Sequence, residues 1–380
     1  MKKKEKIKKV GILTLHGYFN YGNRLQAYAT QEVIKSLGFD THVLIIKDVS
    51  SNMNKIIRLA TKLFKISLKE TYAKILNKIR EKIVFCIDRN SIEERVKIFK
   101  DFSKEYLSEV YYYNTKESLK NLSGNYDFFI TGSDQVWNPF CTNSLYFLDF
   151  TNKAKRIAYA PSFGISNIPN EYINSYKNWL SGMKNISVRE ATGSKIINNL
   201  IGKDAIILVD PTLMLSKEQW LSISRKDIKK PENDYILTYF LGKKTKENEL
   251  QIKEIAKYHN LKIINIANLR DKERYKTGPS EFIDYINSAK MVLTDSFHGA
   301  IFSMLMETPF IVFERVERIE NSKSMFSRIE MLLKKFKLEH RKASNVKLNH
   351  QIFDCDFSHV PSILEDERNK AINYLKSALR

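Results

Sequence analysis

Short apolar runs recur along this chain, each ending in a polar loop and passing into helical periodicity, and that alternation restricts it to a parallel α/β architecture. Residues 10–15 form such a run. A loop with Gly17, Asn20, Gly22 and Asn23 follows, and then Leu25, Ala29, Val33, Ile34 and Leu37 fall at helical spacing. Gly38 closes that helix and residues 41–46 supply the next strand, which completes a βαβ unit of the doubly wound kind. Further strands are predicted at 127–130, 156–160 and 186–188. A second series opens near residue 204 with 205–209, 235–241, 262–266, 291–293 and 310–313. Helices are predicted at 279–289 and 363–379.

The chain has 380 residues, too many for one ordinary core. The pattern divides into a Rossmann-like domain at 1–185, a second at 186–360 and a terminal helix at 361–380 that returns to cover the first. Residues 52–108 interrupt the first domain with lysine-rich helix. Ile56, Leu59, Ala60, Leu63 and Phe64 make its apolar stripe, while Lys55, Arg58, Lys62 and Lys65 lie largely on other faces. Packing of that stripe on the core is the preferred reading. Peripheral contact with an anionic membrane is the alternative.

The net charge is +20, which favours anionic partners without choosing among them. No zinc-finger spacing, RNP-like aromatic motif or recognition helix accompanies it, so nucleic acid is not an expected partner. Cys86, Cys141 and Cys355 are far apart, and the histidines show no H-E-x-x-H spacing; neither a disulfide framework nor a metal site is expected. No apolar run approaches the roughly 18 residues of a membrane span. The lysine-rich first nine residues lead into a strand pattern and not a signal-peptide core, so a cytoplasmic location is expected.

Several predicted strands end in chemistry. The 291–293 strand runs into Thr294-Asp295-Ser296-Phe297-His298-Gly299 and then a helix, placing His298 at a helix start whose free N–H groups favour an anion. The strand at 127–130 ends in Thr131-Gly132-Ser133-Asp134-Gln135-Val136-Trp137-Asn138-Pro139, with more hydrogen-bonding capacity than a connection requires. Arg189-Glu190 follows a strand, and the Arg189 guanidinium could bind a carboxylate through two parallel hydrogen bonds or form a structural ion pair. Asp210-Pro211 reads as a turn at the cleft.

Together Asn20-Tyr21-Gly22-Asn23 with Leu25-Gln26-Ala27, the 132–138 segment, Ser187-Val188-Arg189-Glu190, Asp210-Pro211 and the 294–299 segment resemble the polysaccharide pyruvyltransferase family over residues 10–333. The resemblance implies a GT-B-like fold, two Rossmann-like domains facing across a cleft. It also implies transfer of pyruvyl from phosphoenolpyruvate to a sugar, the acceptor being carried on a lipid-linked glycan precursor, with no cofactor and no metal. His298, with Asp134 and Asp295 as partners, would carry the acid and base steps. Arg189, Ser296, Gly299, Asn20 and Asn23 would bind the donor, and Trp137, Gln135 and Asn138 the acceptor. Ser296 stands where some members carry an arginine; Arg24, Arg315 and Arg328 are the candidate replacements. Asn23 stands where aspartate is common. The rival readings are a nucleotide-sugar glycosyltransferase of the same architecture and a non-catalytic glycan- or anion-binding protein.

Overall fold

The computed structural model describes residues 6–49, 89–140, 142–232, 234–266, 268–269, 271–315, 326–346 and 350–380. Two wholly parallel sheets organise them. The first contains β1 (Lys9–Leu13), β2 (Asp40–Lys47), β3 (Glu109–Tyr113), β4 (Phe128–Asp134), β5 (Arg156–Pro161), β6 (Asn185–Val188) and β7 (Ile206–Ile207), in spatial order β3-β2-β1-β4-β5-β6-β7. The second contains β8 (Tyr235–Tyr239), β9 (Lys262–Asn265), β10 (Met291–Thr294) and β11 (Phe310–Val312), in order β11-β10-β8-β9. Chain order reverses between β1 and β4 in one sheet and between β8 and β10 in the other. Beyond the carboxyl ends of strands at such reversals, parallel sheets open ligand crevices.

Every residue of β4, β8 and β10 is buried, as expected of strands covered on both faces. The helix Phe297–Leu305 is likewise buried along its whole length, which fixes the His298 turn from all sides. The two sheets with their helices form the expected GT-B-like α/β pair.

The division between the two units differs from the expected boundary at 185. Ile157 and Ala158 of β5 pair with Asn185 and Ile186 of β6, and Ser187 and Val188 pair with Ile206 and Ile207. The first sheet therefore runs on to residue 207. The 205–209 run, expected to open the second unit, is the short far edge of the first, and the chain changes sheets only in the connector that follows. Of the 52–108 insertion, the amphipathic stripe at 55–65 lies outside the described residues. Residues 89–106 form a helix that buries Phe99 and Phe102 in the main core. Strand β3 had no counterpart in the predicted elements.

The units share one continuous cluster of buried residues, including Tyr21, Ile130 and Tyr159 from the first and Tyr239, Phe282 and Phe302 from the second. The Tyr21 ring stacks on Phe282 at 4.3 Å, and its hydroxyl donates to the Thr277 carbonyl at 3.0 Å. The final helix, Val360–Ala378, returns to the first sheet, where the Tyr374 hydroxyl donates to the Ala158 carbonyl at 2.8 Å.

Candidate active site

His298 occupies the first turn of the Phe297–Leu305 helix and is 5% exposed. The turn is set by short polar side chains. Ser296 caps the helix by accepting from the Gly299 N–H at 3.2 Å, and the Thr294 hydroxyl accepts from the Ser296 N–H at 3.0 Å. A Cβ on Gly299 would lie 2.6 Å from the Thr294 hydroxyl oxygen, so only glycine lets the helix start this close to β10. The imidazole lies over Gly22, near the start of the Tyr21–Ser36 helix, so two helix N-termini from opposite units converge beside it. Asn20 caps that second helix, its Oδ1 accepting from the Gly22 N–H at 2.9 Å. The Asn23 Oδ1 is buried without a hydrogen-bond partner among the described residues, as is His298 Nε2.

Across from His298 lies a buried cluster of charge. Arg189, at the end of β6, donates from Nη1 to Asp210 Oδ2 at 2.6 Å. Its other nitrogens lie 3.7 Å from Asp134 Oδ1 and 3.8 Å from Glu190 Oε2, and its guanidinium sits 4.4 Å over the Phe297 ring. Burial opposes its charge, but Asp210, Asp134 and Glu190 outweigh that and hold the guanidinium above its usual pKa. Asp210 is the counterpart. Burial would push its carboxyl up, yet His298, Arg189 and the Thr212 N–H hold it far below the usual carboxylate range. The carboxylate also accepts from the Ser133 hydroxyl at 2.7 Å, and His298 Nε2 lies 3.6 Å from the same oxygen.

Asp134 closes β4 with φ at 63°, a left-handed conformation unusual outside glycine, which turns its carboxylate toward Arg189. Glu190 accepts from the Ser162 hydroxyl at 2.7 Å and the Phe163 N–H at 3.1 Å. With the Gln135 amide turned so that its oxygen accepts, Arg328 donates to it at 2.7 and 3.0 Å. Arg328 and Lys335 face Arg189, Glu190, Asp210 and Phe297 across a small crevice. Burial and the neighbouring Arg189 push the Arg328 guanidinium down to about 10, with Glu190 and Asp134 working the other way. Of the three candidate replacements for the arginine absent at Ser296, Arg328 is the one beside Arg189. Arg24 is committed to Glu109 at 3.0 Å and the Leu15 carbonyl at 3.0 Å, and Arg315 to the Asp295 carbonyl at 3.0 Å.

Two expected roles do not fit the geometry, and a third side chain is taken up in part by its own loop. Trp137 is fully buried, stacked on Phe147 at 5.0 Å, with its indole N–H donated to the Tyr146 carbonyl at 3.0 Å. It offers no face to a sugar; it is the core tryptophan of the first unit. Asp295 is committed to the backbone, its two oxygens accepting from the Leu241 and Gly242 N–H groups at 2.7 Å each. Its carboxylate ties the loop after β8 to the loop after β10. Asn138 is buried and accepts from the Phe140 N–H at 3.0 Å, so that side-chain oxygen shapes its own loop.

The cluster thus gathers the ends of β4, β6, β7 and β10. Its unpredicted members are Ser133 and Asp210, which bond each other, and Glu190, which lies beside Arg189; each already lay within a quoted motif. Among the described residues, no group of three or more His, Cys, Asp or Glu side chains is placed to hold a metal ion. None of the described helices is long and apolar enough to cross a membrane.

The sequence profile of the polysaccharide pyruvyl transferase family matches residues 20–315, which takes in the site residues from Asn20 through His298 and stops short of Arg328. The chain belongs to that family. No curated protein matches it at a significant level. Among solved structures it is similar to UDP-GlcNAc 2-epimerase from Neisseria meningitidis, at 11% identity and a TM-score of 0.42 over 98% of this chain and 99% of that one. It is also similar to the heptosyltransferase WaaC of E. coli, at 11% identity and a TM-score of 0.34 over 94% and 99% of the two chains.

Proposed function

We propose that this pyruvyltransferase family member moves the pyruvyl group of phosphoenolpyruvate onto two hydroxyls of a sugar in a surface-glycan precursor. The observation that carries this reading is the convergence of Arg189, Arg328 and His298 on one buried junction. A small anion carrying both a carboxylate and a phosphate matches two guanidinium groups and two helix starts better than a neutral ligand would. The acceptor is proposed to be a sugar on a lipid-linked oligosaccharide, met on the cytoplasmic face of the membrane, with neither cofactor nor nucleic acid involved.

The chemistry balances with these groups. His298 as acid delivers a proton to the methylene carbon of phosphoenolpyruvate, giving a methyl group and an oxocarbenium-like carbon. One sugar hydroxyl adds to that carbon and loses its proton to a base. The carbon–oxygen bond to phosphate then breaks, phosphate leaves with the electron pair, and the second hydroxyl closes the ketal. Two hydroxyl protons are released in all, one replacing the proton spent on carbon and one leaving with phosphate. Asp134 is the proposed carboxylate nearest the sugar protons.

Calorimetric titration with phosphoenolpyruvate and with a uridine diphosphate sugar tests the donor. Saturable binding of phosphoenolpyruvate that weakens at least ~10-fold in Arg189→Lys, which keeps charge but loses the planar fork, is expected. In His298→Asn, phosphate release with a panel of methyl glycosides should fall by about 10² to 10⁴ while donor binding changes little. Binding of the nucleotide sugar alone would replace the reading with glycosyl transfer. Undiminished turnover in His298→Asn would remove the acid from its assigned place.

A further inference from the structure

Asp210 has a turn former's sequence context, and the turn is present: Oδ1 accepts from the Thr212 N–H at 3.0 Å and from the Thr212 hydroxyl at 2.7 Å. That turn occupies one oxygen. The other, Oδ2, faces the junction, where it accepts from Arg189 Nη1 at 2.6 Å and the Ser133 hydroxyl at 2.7 Å and lies 3.6 Å from His298 Nε2. Those three groups come from the ends of β4, β6 and β10, so a single oxygen atom gathers side chains from both sheets. Asp210 is 1% exposed, and His298 Nε2 is buried with no hydrogen-bond partner among the described residues. A turn in this place would need only the Oδ1 bonds. The convergence on Oδ2 asks for another explanation.

We propose that Asp210 is a positioning residue that sets the donor anchor Arg189 and the proton carrier His298 in one geometry through a single carboxylate oxygen. The proposal deepens the pyruvyl-transfer reading and rests on it for the roles of the two groups it positions. Asp210 itself does not touch the substrate. Its Oδ2 draws the guanidinium into one plane and presents a negative charge to Nε2, so the ring has a preferred orientation and proton position before substrate arrives. The Ser133 hydroxyl fixes Oδ2 from the side of β4, which makes Ser133 the second member of the support.

A purely structural carboxylate would stabilise the fold and leave the folded site unchanged, so the test reads the two positioned groups directly. In Asp210→Asn and Ser133→Ala, the dissociation constant for phosphoenolpyruvate is measured by calorimetry to read Arg189. The His298 ring nitrogens are observed by NMR in protein labelled with ¹⁵N-histidine, the signal being assigned by its loss in His298→Asn. Expected are at least ~10-fold weaker donor binding and a ¹⁵N shift change of several ppm at His298 Nε2 in Asp210→Asn, with smaller changes of the same direction in Ser133→Ala. A folded Asp210→Asn protein with either an unmoved His298 signal or unchanged donor affinity overturns the proposal. If Asp210→Asn does not fold, the same two readouts in Ser133→Ala decide it. Wild-type protein that fails to bind phosphoenolpyruvate would sink the donor reading instead, and the His298 signal would then decide the role of Asp210 alone.

Discussion

Gly22 leaves no room for a side chain: a Cβ there would lie 2.1 Å from His298 Nδ1 and 2.6 Å from its Cγ. The ring cannot slide away along its own helix, because the Ser296 cap and the tight approach of Gly299 to Thr294 fix that helix against β10. Any larger residue at position 22 must therefore rotate the imidazole or part the two units. Within a helix, replacing glycine by alanine normally gains up to about 1 kcal/mol, so stability and function should separate at this position. Gly22→Ala is expected to keep a melting temperature within a few degrees of wild type while turnover of phosphoenolpyruvate falls about 10²-fold, the scale of a displaced catalytic group. Thermal melts beside phosphate-release assays make the check; near-normal turnover would mean that the ring has other productive places to go.

The helix Arg89–Tyr106 shows how an insertion becomes part of the frame. Arg95 is buried on it and donates to the Tyr21 hydroxyl at 3.0 Å, the Phe19 carbonyl at 3.1 Å and the Thr277 carbonyl at 3.4 Å. It thereby joins the glycine-bearing loop after β1 to the second unit. Arg95→Met keeps the length of the side chain but removes the donor to the Phe19 carbonyl and to the Tyr21 hydroxyl, while the Thr277 carbonyl keeps its bond from Tyr21. A loss of about 2–4 kcal/mol in urea unfolding is expected, and a loss under about 0.5 kcal/mol would show that water replaces the guanidinium. None of this was legible in the sequence, where Arg95 is one cation in a lysine-rich stretch and its partners lie in distant segments. What was legible followed from local pattern. The strands β1, β4, β5, β8 and β10 are apolar runs, and the loops after β4, β6, β7 and β10 carry the polar residues that build the cluster. Strand β3, with the sequence Glu-Val-Tyr-Tyr-Tyr, lies half exposed at the sheet edge and lacks the apolar run of its buried neighbours. Trp137 and Asp295 looked like ligand contacts because sequence gives a residue's chemistry without its direction: one faces Phe147, the other the backbone after β8. Asp210 was visible as a strand-end acid, but its three partners at Oδ2 come from segments remote in the chain and meet only in the fold.

At the scale of the molecule, the final helix Val360–Ala378 acts as a clamp. Its Tyr374 reaches β5 of the first sheet, Arg368 donates to the Leu213 and Leu215 carbonyls of the connector at 2.7 Å each, and Glu367 pairs with Lys335 at 2.6 Å on a helix of the second unit. Val360, Leu364, Ala371 and Leu375 are buried beneath it. The helix thus touches both units and the segment that joins them just beyond Asp210. Such a clamp, added to the buried cluster shared around Tyr21, should make the units unfold as one. In urea, Trp fluorescence, which reports Trp137 and Trp179 of the first unit and Trp220 of the connector, and far-ultraviolet circular dichroism should give coincident transitions for the wild type. Arg368→Ala combined with Tyr374→Phe removes three hydrogen bonds, leaves the Leu213 and Leu215 carbonyls in need of new partners and retains the apolar stripe. A stability loss of about 2–4 kcal/mol is expected, with the two transitions drawn apart because the first unit no longer feels the second through this helix. Coincident transitions in the double variant would show that the shared core alone couples the units, and that the helix covers the first sheet without clamping the second.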